Sequence, residues 1–170
     1  MERRRFLSLV TAAAGAASAA LVAVPLIGHV LAPLRRKGGP AEEAWLPLGD
    51  LSQFPAGAPH RVSIRVPVRD GWEMTATERA AWVVRTGDDE AVVFSSVCPH
   101  LGCSVKWVVP ATQFECPCHS SGFALDGARM KGPARRGLDA LPSRVVAGSL
   151  EIQWVEYAAN IAECRPVGEA

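Results

Sequence analysis

An excess of charge of either sign is missing from this sequence of 170 residues. Lys and Arg number 18 and Asp and Glu number 17, which gives a formal net charge of +1. Proteins that bind nucleic acid usually carry a strong basic bias, so we expect no nucleic-acid partner. The sequence also lacks an internal repeat and, after the N-terminal segment, any low-complexity tract. A repeat architecture is thereby excluded, and the length allows one ordinary domain with an appendage.

Helical periodicity is almost absent after residue 44. Residues 62–68 alternate apolar and polar side chains, a pattern typical of a half-buried strand. Two hairpins are predicted, one across residues 82–94 with a Gly-Asp-Asp turn and one across residues 145–154 with an Ala-Gly turn. The only helix candidate in this part is residues 75–81. Short strands joined by Gly- and Pro-rich turns indicate an all-β sandwich or barrel.

Hydrophobic residues are instead concentrated at the N-terminus. Residues 6–34 contain no Asp, Glu, Lys or Arg, and about 20 apolar residues suffice for a helix to cross a membrane. The Arg-Arg pair at residues 3–4, followed by Phe-Leu at 6–7, resembles the twin-arginine export signal, although a plain basic region before a membrane helix would look similar. Small residues at 17–19 offer a cleavage site, but they precede the most apolar part. We therefore expect the segment to stay as a membrane anchor.

A basic cluster and a Gly-Gly-Pro sequence follow the anchor. The cluster, residues 35–37, would lie outside the membrane, against the tendency of positive charge to stay inside, and we expect the export signal to decide the orientation. The two glycines at 38–39 predict a flexible joint. The sequence thus divides into four parts: signal and anchor at 1–37, hinge at 38–45, β domain at 46–158 and tail at 159–170.

Four of the five cysteines lie in two short loops, within about residues 95–135, that also contain two of the four histidines. The first loop has Cys98 and His100, and the second, after fifteen intervening residues, has Cys116 and His119. Two thiolates and two imidazoles can bind zinc tetrahedrally. The same set can hold a [2Fe–2S] cluster, with both cysteines on one iron and both histidines on the other.

Each loop has one further cysteine, Cys103 in the first and Cys118 in the second. A zinc site gives these cysteines no role, whereas a disulfide would pin the two loops together over the metal. Disulfides persist in oxidising compartments, which agrees with the export signal. We therefore favour the iron–sulfur interpretation over zinc.

The two loops resemble those of the Rieske iron–sulfur subunit of bacterial quinol–cytochrome c reductases, the cytochrome bc complexes. The family pattern is Cys-x-His-x-Gly-Cys followed by Cys-x-Cys-His-x-Ser, which residues 98–103 and 116–121 match. The resemblance covers about residues 90–155, whereas residues 41–90 match only in general character. It implies an all-β fold: a Rieske-type antiparallel β-sandwich with a small cluster-binding subdomain, preceded by one N-terminal transmembrane helix.

Carried over position by position, the resemblance implies a role for each residue of the two loops. The inner iron would be bound by the two cysteine ligands, the outer iron by the two histidines, and the remaining cysteines would form the disulfide. The cysteine ligands are Cys98 and Cys116, the histidine ligands are His100 and His119, and the disulfide cysteines are Cys103 and Cys118. His119 would also meet the quinol oxygen, with Leu101 lining the contact.

The residues beside the cluster also allow a prediction of its reduction potential. Ser121 holds the place of a serine that donates a hydrogen bond to a bridging sulfide in the family. Phe123 holds the place where many high-potential members have a tyrosine that donates to a ligand thiolate. With one donor fewer we expect a lower potential, which suits menaquinol better than ubiquinol. Gly102 and Pro133 complete the predicted surroundings of the cluster.

Four positions depart from the family pattern or remain without a role. Ser120 replaces the usual glycine after the ligand histidine, and Arg135 replaces the second proline of a Pro-rich loop. Arg135 and Arg136 either shape the choice of partner or are simply solvated. Cys164 has no assigned partner.

The resemblance implies a one-electron carrier subunit of a membrane quinol–cytochrome c oxidoreductase. Its partners would be quinol, cytochrome b and a c-type cytochrome, its oligomeric state would follow from the complex, and its domain would lie on the periplasmic side of the inner membrane. The alternative is the small Rieske subunit of a periplasmic molybdenum oxidoreductase such as arsenite oxidase. A Rieske ferredoxin or oxygenase component is disfavoured, because those proteins are cytoplasmic and usually lack the disulfide.

Overall fold

The computed structural model describes residues 2–35, 44–70 and 73–167, and the chain forms two compact units, Met1–Lys37 and Gly38–Ala170. The first unit is one helix, α1 (Arg3–Arg35). Its segment Arg3–Leu31 has a mean hydropathy of 2.0 and, by length and composition, is the one helix among the described residues that could cross a membrane. An export signal near an N-terminus has the same features. The predicted hinge glycines and the end of the basic cluster lie outside the described residues.

The second unit is built from eleven strands in the described part of the chain, which range from 2 to 13 residues. Their bounds are β1 (Trp45–Asp50), β2 (His60–Asp70), β3 (Glu73–Arg85), β4 (Ala91–Ser95), β5 (Lys106–Val108), β6 (Gln113–Glu115), β7 (Gly122–Phe123), β8 (Arg129–Lys131), β9 (Ala140–Leu141), β10 (Ser143–Val146) and β11 (Ser149–Gln153). They form three antiparallel sheets with the strand orders β1-β11-β10, β2-β3-β4-β9 and β5-β6-β7-β8. The prediction of an all-β fold after one apolar N-terminal helix is confirmed.

The central sheet separates two hydrophobic cores because successive side chains of a strand point to opposite faces. Val83 and Val93 pack into a core shared with the first sheet, where Leu150 and Ile152 of β11 are fully buried. Trp82, on the opposite face of β3, belongs to a second core shared with the small third sheet. Strands that are buried on both faces have continuous apolar runs in the sequence, which is why the buried parts of β3 and β4 could be predicted.

Both predicted hairpins are confirmed. Strand β3 pairs with β4 from Ala81 opposite Ser95 to Arg85 opposite Ala91. Strands β10 and β11 pair across the turn that contains Gly148. The predicted half-buried strand at residues 62–68 lies inside β2.

The predicted helix at residues 75–81 is wrong. This segment lies in β3 and pairs with β2 at every residue, from Thr75 opposite Val68 to Ala81 opposite Val62. Its alanines, glutamate and arginine favour a helix locally, but helix propensities differ by less than about 1 kcal/mol per residue. The alternating apolar strand β2 offers a continuous hydrogen-bonding partner, and this tertiary pairing outweighs the local preference.

The third sheet supports both cysteine-containing loops. Its central side chain, Phe114, is fully buried and makes edge contacts with three aromatic rings. The ring centroids of Trp107, Trp82 and Phe94 lie 4.9, 5.5 and 6.4 Å from that of Phe114. Such pairs stabilise by about 0.5–1.5 kcal/mol each beyond the area that they bury. The first loop leads into this sheet before β5, and the second joins β6 to β7.

Candidate metal centre

The first loop is a tight turn closed by its own backbone. The Cys98 N–H donates to the Cys103 carbonyl at 2.8 Å, and the Gly102 N–H donates to the Cys98 carbonyl at 3.0 Å. Gly102 has a φ of +83°, a left-handed conformation that glycine adopts at little cost. The side chain of Leu101 stands at the tip of this turn and is 60% exposed. This turn therefore buries Cys98 and leaves an apolar side chain in solvent.

The second loop is closed in the same manner. The Cys116 N–H donates to the Ser121 carbonyl at 2.8 Å, and the Ser120 N–H donates to the Cys116 carbonyl at 3.0 Å. Ser120 has a φ of +57° although it is not glycine. Cys116 is buried, whereas His119 is exposed.

A disulfide bond joins the two loops. The sulfur atoms of Cys103 and Cys118 are 2.02 Å apart. These are the two cysteines that the resemblance assigned to a disulfide. The bond fixes the loops to each other and leaves Cys98 and Cys116 as free, buried thiols.

The Cys98 thiol lies in an environment that disfavours its charged form. Burial raises the pKa of the Cys98 thiol to about 11. Hydrogen bonding from the backbone N–H groups of His100 and Leu101 lowers the pKa and so opposes this shift. The neighbouring Cys116 thiol raises the pKa further. A bound cation offsets this penalty, because it favours the thiolates that ligate it. The surroundings of these thiols therefore suit metal ligands.

The two histidines of the loops lie side by side. The ring centroids of His100 and His119 are 4.8 Å apart, and the rings are nearly perpendicular, at 87°. The Nδ1 atom of His100 is the one buried side-chain nitrogen or oxygen in the described residues without a hydrogen-bond partner. An unpaired buried imidazole nitrogen is costly, and a metal ion would give it a partner.

The donor set fits a Rieske cluster. Two free cysteines are buried and two histidines lie nearer to solvent, which is the combination of two thiolates and two imidazoles that holds a [2Fe–2S] cluster of this type. A tighter group of sulfur atoms, from Cys103, Cys116 and Cys118, lies within 4.8 Å. Two of those three sulfurs are bonded to each other, so they offer no thiolate to a metal.

A third segment, residues 132–134, covers the second loop. The fully buried Ser121 accepts a hydrogen bond at its Oγ from the Ala134 N–H at 3.1 Å, and its hydroxyl proton is thereby left to donate elsewhere. Gly132 approaches so closely that a Cβ on it would lie 2.4 Å from the Ser121 Cα. Pro133, predicted to adjoin the cluster, is exposed, whereas the side chain of Phe123 is fully buried.

Arg136 is neither a docking residue nor a solvated one, so both sequence interpretations of it are wrong. Its side chain is 7% exposed, and its guanidinium binds the Asp139 carboxylate through two hydrogen bonds of 2.7 and 2.9 Å. Hydrogen bonding to Asp139 raises the Arg136 pKa. Arg135 is exposed, and the thiol of Cys164 donates to Asp139 at 3.3 Å without forming a disulfide. Asp139 was missed in the sequence, where only its position three residues after Arg136 could have indicated it.

An antiparallel β domain with two buried cysteines, two histidines and a linking disulfide defines an iron–sulfur protein of the Rieske class. The profile of the Rieske [2Fe-2S] domain family matches residues 44–142, and the chain belongs to this family. A second profile, described as the TAT signal of the ubiquinol–cytochrome c reductase Fe-S subunit, matches residues 1–29. The predictions of the family, the [2Fe–2S] cofactor and the twin-arginine signal are confirmed.

Three curated relatives resemble the chain over most of its length. The menaquinol:cytochrome c reductase iron–sulfur subunit of Geobacillus thermodenitrificans is 28% identical over 99% of this chain and 95% of its own. The subunit of the same name from Bacillus subtilis is 30% identical, over 88% and 90%. The cytochrome b6-f complex iron–sulfur subunit of Gloeobacter violaceus is 33% identical, over 92% and 85%.

Two solved structures are also similar. The cyanobacterial plasma membrane Rieske protein PetC3 from Synechocystis PCC 6803 has a TM-score of 0.45 and 24% identity, over 64% of this chain and 99% of its own. A chain of a hyperthermophilic respiratory complex III has a TM-score of 0.45 and 23% identity, over 80% and 98%.

Proposed function

We propose that this protein is the one-electron carrier subunit of a membrane menaquinol–cytochrome c reductase. It accepts an electron and a proton from the quinol and passes the electron to a c-type cytochrome, with cytochrome b as its neighbour. The observation that carries this proposal is the pair of adjacent histidine rings on two disulfide-linked loops, each of which also holds one buried free thiol. Full-length similarity to menaquinol:cytochrome c reductase subunits supports the type of complex, and nothing among these relatives favours the molybdenum alternative.

The proposed ligands are Cys98 and Cys116 on the inner iron and His100 and His119 on the outer iron. When bound, a cluster with two neutral imidazoles in place of thiolates has a raised potential and couples its reduction to proton uptake. His119 is the exposed imidazole and would hydrogen-bond the quinol oxygen. The exposed Leu101 side chain would contact the apolar part of the quinol. A centre that takes one electron cannot complete the two-electron oxidation of a quinol alone, so the activity belongs to the complex.

The proposed location follows from α1 and from the chemistry of the site. The apolar stretch of α1 would remain after export as the anchor, with the β domain on the periplasmic side, where a disulfide persists. Export by the twin-arginine route would allow the domain to fold around its cluster before it crosses the membrane. Resistance of the membrane-bound chain to a carbonate wash would support the anchor, and release of a shortened chain would contradict it.

Electron paramagnetic resonance of the reduced, full-length protein tests the proposal directly. We expect the signal of a Rieske centre, with two irons per chain by metal analysis. Replacement of a proposed ligand, Cys98→Ser, should abolish the signal, whereas Cys164→Ser should leave it unchanged. A silent spectrum with stoichiometric zinc would overturn the proposal. Co-purification with cytochrome b tests the assignment to this type of complex, and co-purification with a molybdenum subunit would instead support the alternative.

The potential of the centre is tested by the variant Phe123→Tyr. Phe123 is fully buried and offers no hydroxyl, so one hydrogen-bond donor of high-potential relatives is missing. Because donors to the sulfur atoms stabilise the more negative reduced state, we expect the added hydroxyl to raise the midpoint potential. A redox titration followed by paramagnetic resonance measures the shift. An unchanged spectrum would show that the cluster is intact, and an unchanged or lowered potential in that intact protein would contradict the prediction.

A further inference from the structure

The chain folds back on itself after β11, and we call residues 156–167 the C-terminal clasp. The Ala158 N–H donates to the Arg165 carbonyl at 2.9 Å, and the Val167 N–H donates to the Glu156 carbonyl at 2.7 Å. Tyr157 and Pro166 lie opposite each other as an antiparallel bridge. The clasp is thus a small hydrogen-bonded loop rather than a loose end.

Arg136 holds the clasp through main-chain atoms. Its Nη1 donates to the Ile161 carbonyl and its Nη2 to the Ala158 carbonyl, each at 2.8 Å. The same guanidinium pairs with Asp139, whose side chain is 5% exposed. A buried guanidinium is tolerated when it is paired and hydrogen-bonded, and here a carboxylate and two carbonyls accept from four of its five N–H groups. The two carbonyls flank Asn160 in the chain, so this arrangement fixes the backbone of Asn160.

Asn160 connects the clasp to the first cysteine-containing loop. Its backbone N–H donates to the carbonyl of Pro99 at 2.8 Å. Asn160 has a φ of +59°, a conformation that asparagine tolerates better than most residues, and its side chain is exposed. Pro99 is fully buried and lies between the proposed ligands Cys98 and His100.

The Pro99 carbonyl and the His100 N–H belong to one planar peptide group. The oxygen of this group accepts from Asn160 at 2.8 Å. Its nitrogen is the His100 N–H, whose hydrogen bonding lowers the pKa of the Cys98 thiol against the effect of burial. A hydrogen bond at one end of a peptide group orients the other end and strengthens its polarity. The clasp therefore acts on the group that donates to a ligand sulfur.

We propose that the C-terminal clasp positions the cluster site, with Asn160 and Arg136 as positioning residues that aim the His100 N–H at the Cys98 sulfur. The proposal rests on the ligand role of Cys98 in the proposed function. Hydrogen bonds to the sulfur atoms stabilise the reduced, more negative state of an iron–sulfur site, so the clasp raises the reduction potential.

The test compares Asn160→Pro with Asn160→Gly in the full-length protein loaded with its cluster. Proline removes the N–H and cannot adopt a positive φ, whereas glycine keeps both the N–H and the conformation. We expect a lower midpoint potential in Asn160→Pro than in the wild type, with Asn160→Gly unchanged. Amide exchange of residues 98–103, followed by mass spectrometry, should be about five-fold faster in Asn160→Pro, the effect of losing one hydrogen bond of typical net strength.

A second variant keeps the test decisive if Asn160→Pro fails to accumulate. Arg136→Lys keeps the charge beside Asp139, but its single ammonium cannot hold both carbonyls as the guanidinium fork does. It should lower the potential and speed exchange in the same segment. Unchanged potentials in the variants that accumulate would overturn the proposal, as would an equal fall in Asn160→Gly. Absence of a Rieske signal in the wild type would overturn the proposed function, and the clasp proposal with it.

Discussion

The two loops of the metal centre make the same turn with different residues at its key positions. In each, the proposed cysteine ligand donates to the carbonyl five residues later and accepts from the N–H four residues later, with equal distances of 2.8 and 3.0 Å. The order of the histidine and the disulfide cysteine is reversed: His100 precedes Cys103 in the first loop, but Cys118 precedes His119 in the second. The backbone therefore sets the turn, and the donors can occupy different positions within it.

The loops differ most in what holds them from outside. A hydrogen bond from Asn160 in the clasp reaches the first loop, at Pro99. The second loop is covered by residues 132–134, which approach it at Gly132 and bind the Ser121 hydroxyl. Equal turns are thus supported by unlike neighbours, the first through one backbone hydrogen bond and the second through close packing together with a hydrogen bond. Substitutions can therefore measure the contribution of the turn and that of its neighbours separately.

The largest effect is expected from Gly132→Ala, which breaks the support of the second loop alone. The added Cβ would lie 2.4 Å from the Ser121 Cα, and the φ of +88° is unfavourable for alanine. Left-handed strain of about 1–2 kcal/mol and overpacking of about 1–3 kcal/mol together give a loss of about 4 kcal/mol. Thermal unfolding measures it, at about 4 °C per kcal/mol. Gly148→Ala is the matched control, because its φ is +83° with nothing within 4 Å. Equal losses in the two variants would show that the contact does not matter.

Loss of the disulfide should have the next largest effect, because it uncouples the loops from each other. The bond joins residues 15 apart, and closing a loop of that length stabilises by about 3 kcal/mol. We expect Cys103→Ser combined with Cys118→Ser to lower the unfolding midpoint by about 12 °C. The exposed, unbridged Cys164 provides the control, since Cys164→Ser should change it little. A double variant as stable as the wild type would mean that the backbone turns hold the loops together unaided.

The proposed donors of the metal centre could be predicted because they are rare residue types at close spacing. Cys98, His100, Cys116 and His119 could be recognised without knowledge of the fold. The clasp could not be predicted, because Arg136 binds it through main-chain carbonyls, which every residue offers. A buried arginine cannot be told from a solvated one in a sequence when its hydrogen-bond partners are main-chain carbonyls.

The strands also show which features can be predicted from sequence and which cannot. Strands β3 and β4 were predicted where they are buried on both faces and therefore apolar throughout. The part of β3 at residues 75–81 is only partly buried and carries alanines beside polar residues, so its local composition favoured a helix. Its strand conformation depends on hydrogen bonding to β2, which the helix propensity of its own residues does not reveal. Sequence patterns thus gave the buried strands and missed the one defined by pairing alone.

A smaller effect is expected when the first loop is made to resemble the second. Gly102→Ser places a side chain at a φ of +83°, where a Cβ would meet only Val97, at 4.0 Å. With no clash, the cost is the left-handed strain of about 1–2 kcal/mol less the entropy that glycine carries in the unfolded chain, a net loss of about 1 kcal/mol. We expect the unfolding midpoint to fall by about 4 °C. A fall as large as that of Gly132→Ala would show that the first loop also depends on close packing.

The smallest effect, and the only stabilising one, is expected from the reverse exchange in the second loop. Ser120 holds a φ of +57° with an exposed side chain, so Ser120→Gly removes strain and exposes no core. The gain should be at most about 1 kcal/mol, because the added flexibility of the unfolded chain offsets part of the relief. Unfolding of this variant beside Gly102→Ser measures whether the two shifts are equal and opposite. Equal shifts would establish that one turn is used twice, whereas a loss of stability in Ser120→Gly would show that the serine makes a contribution of its own to the second loop.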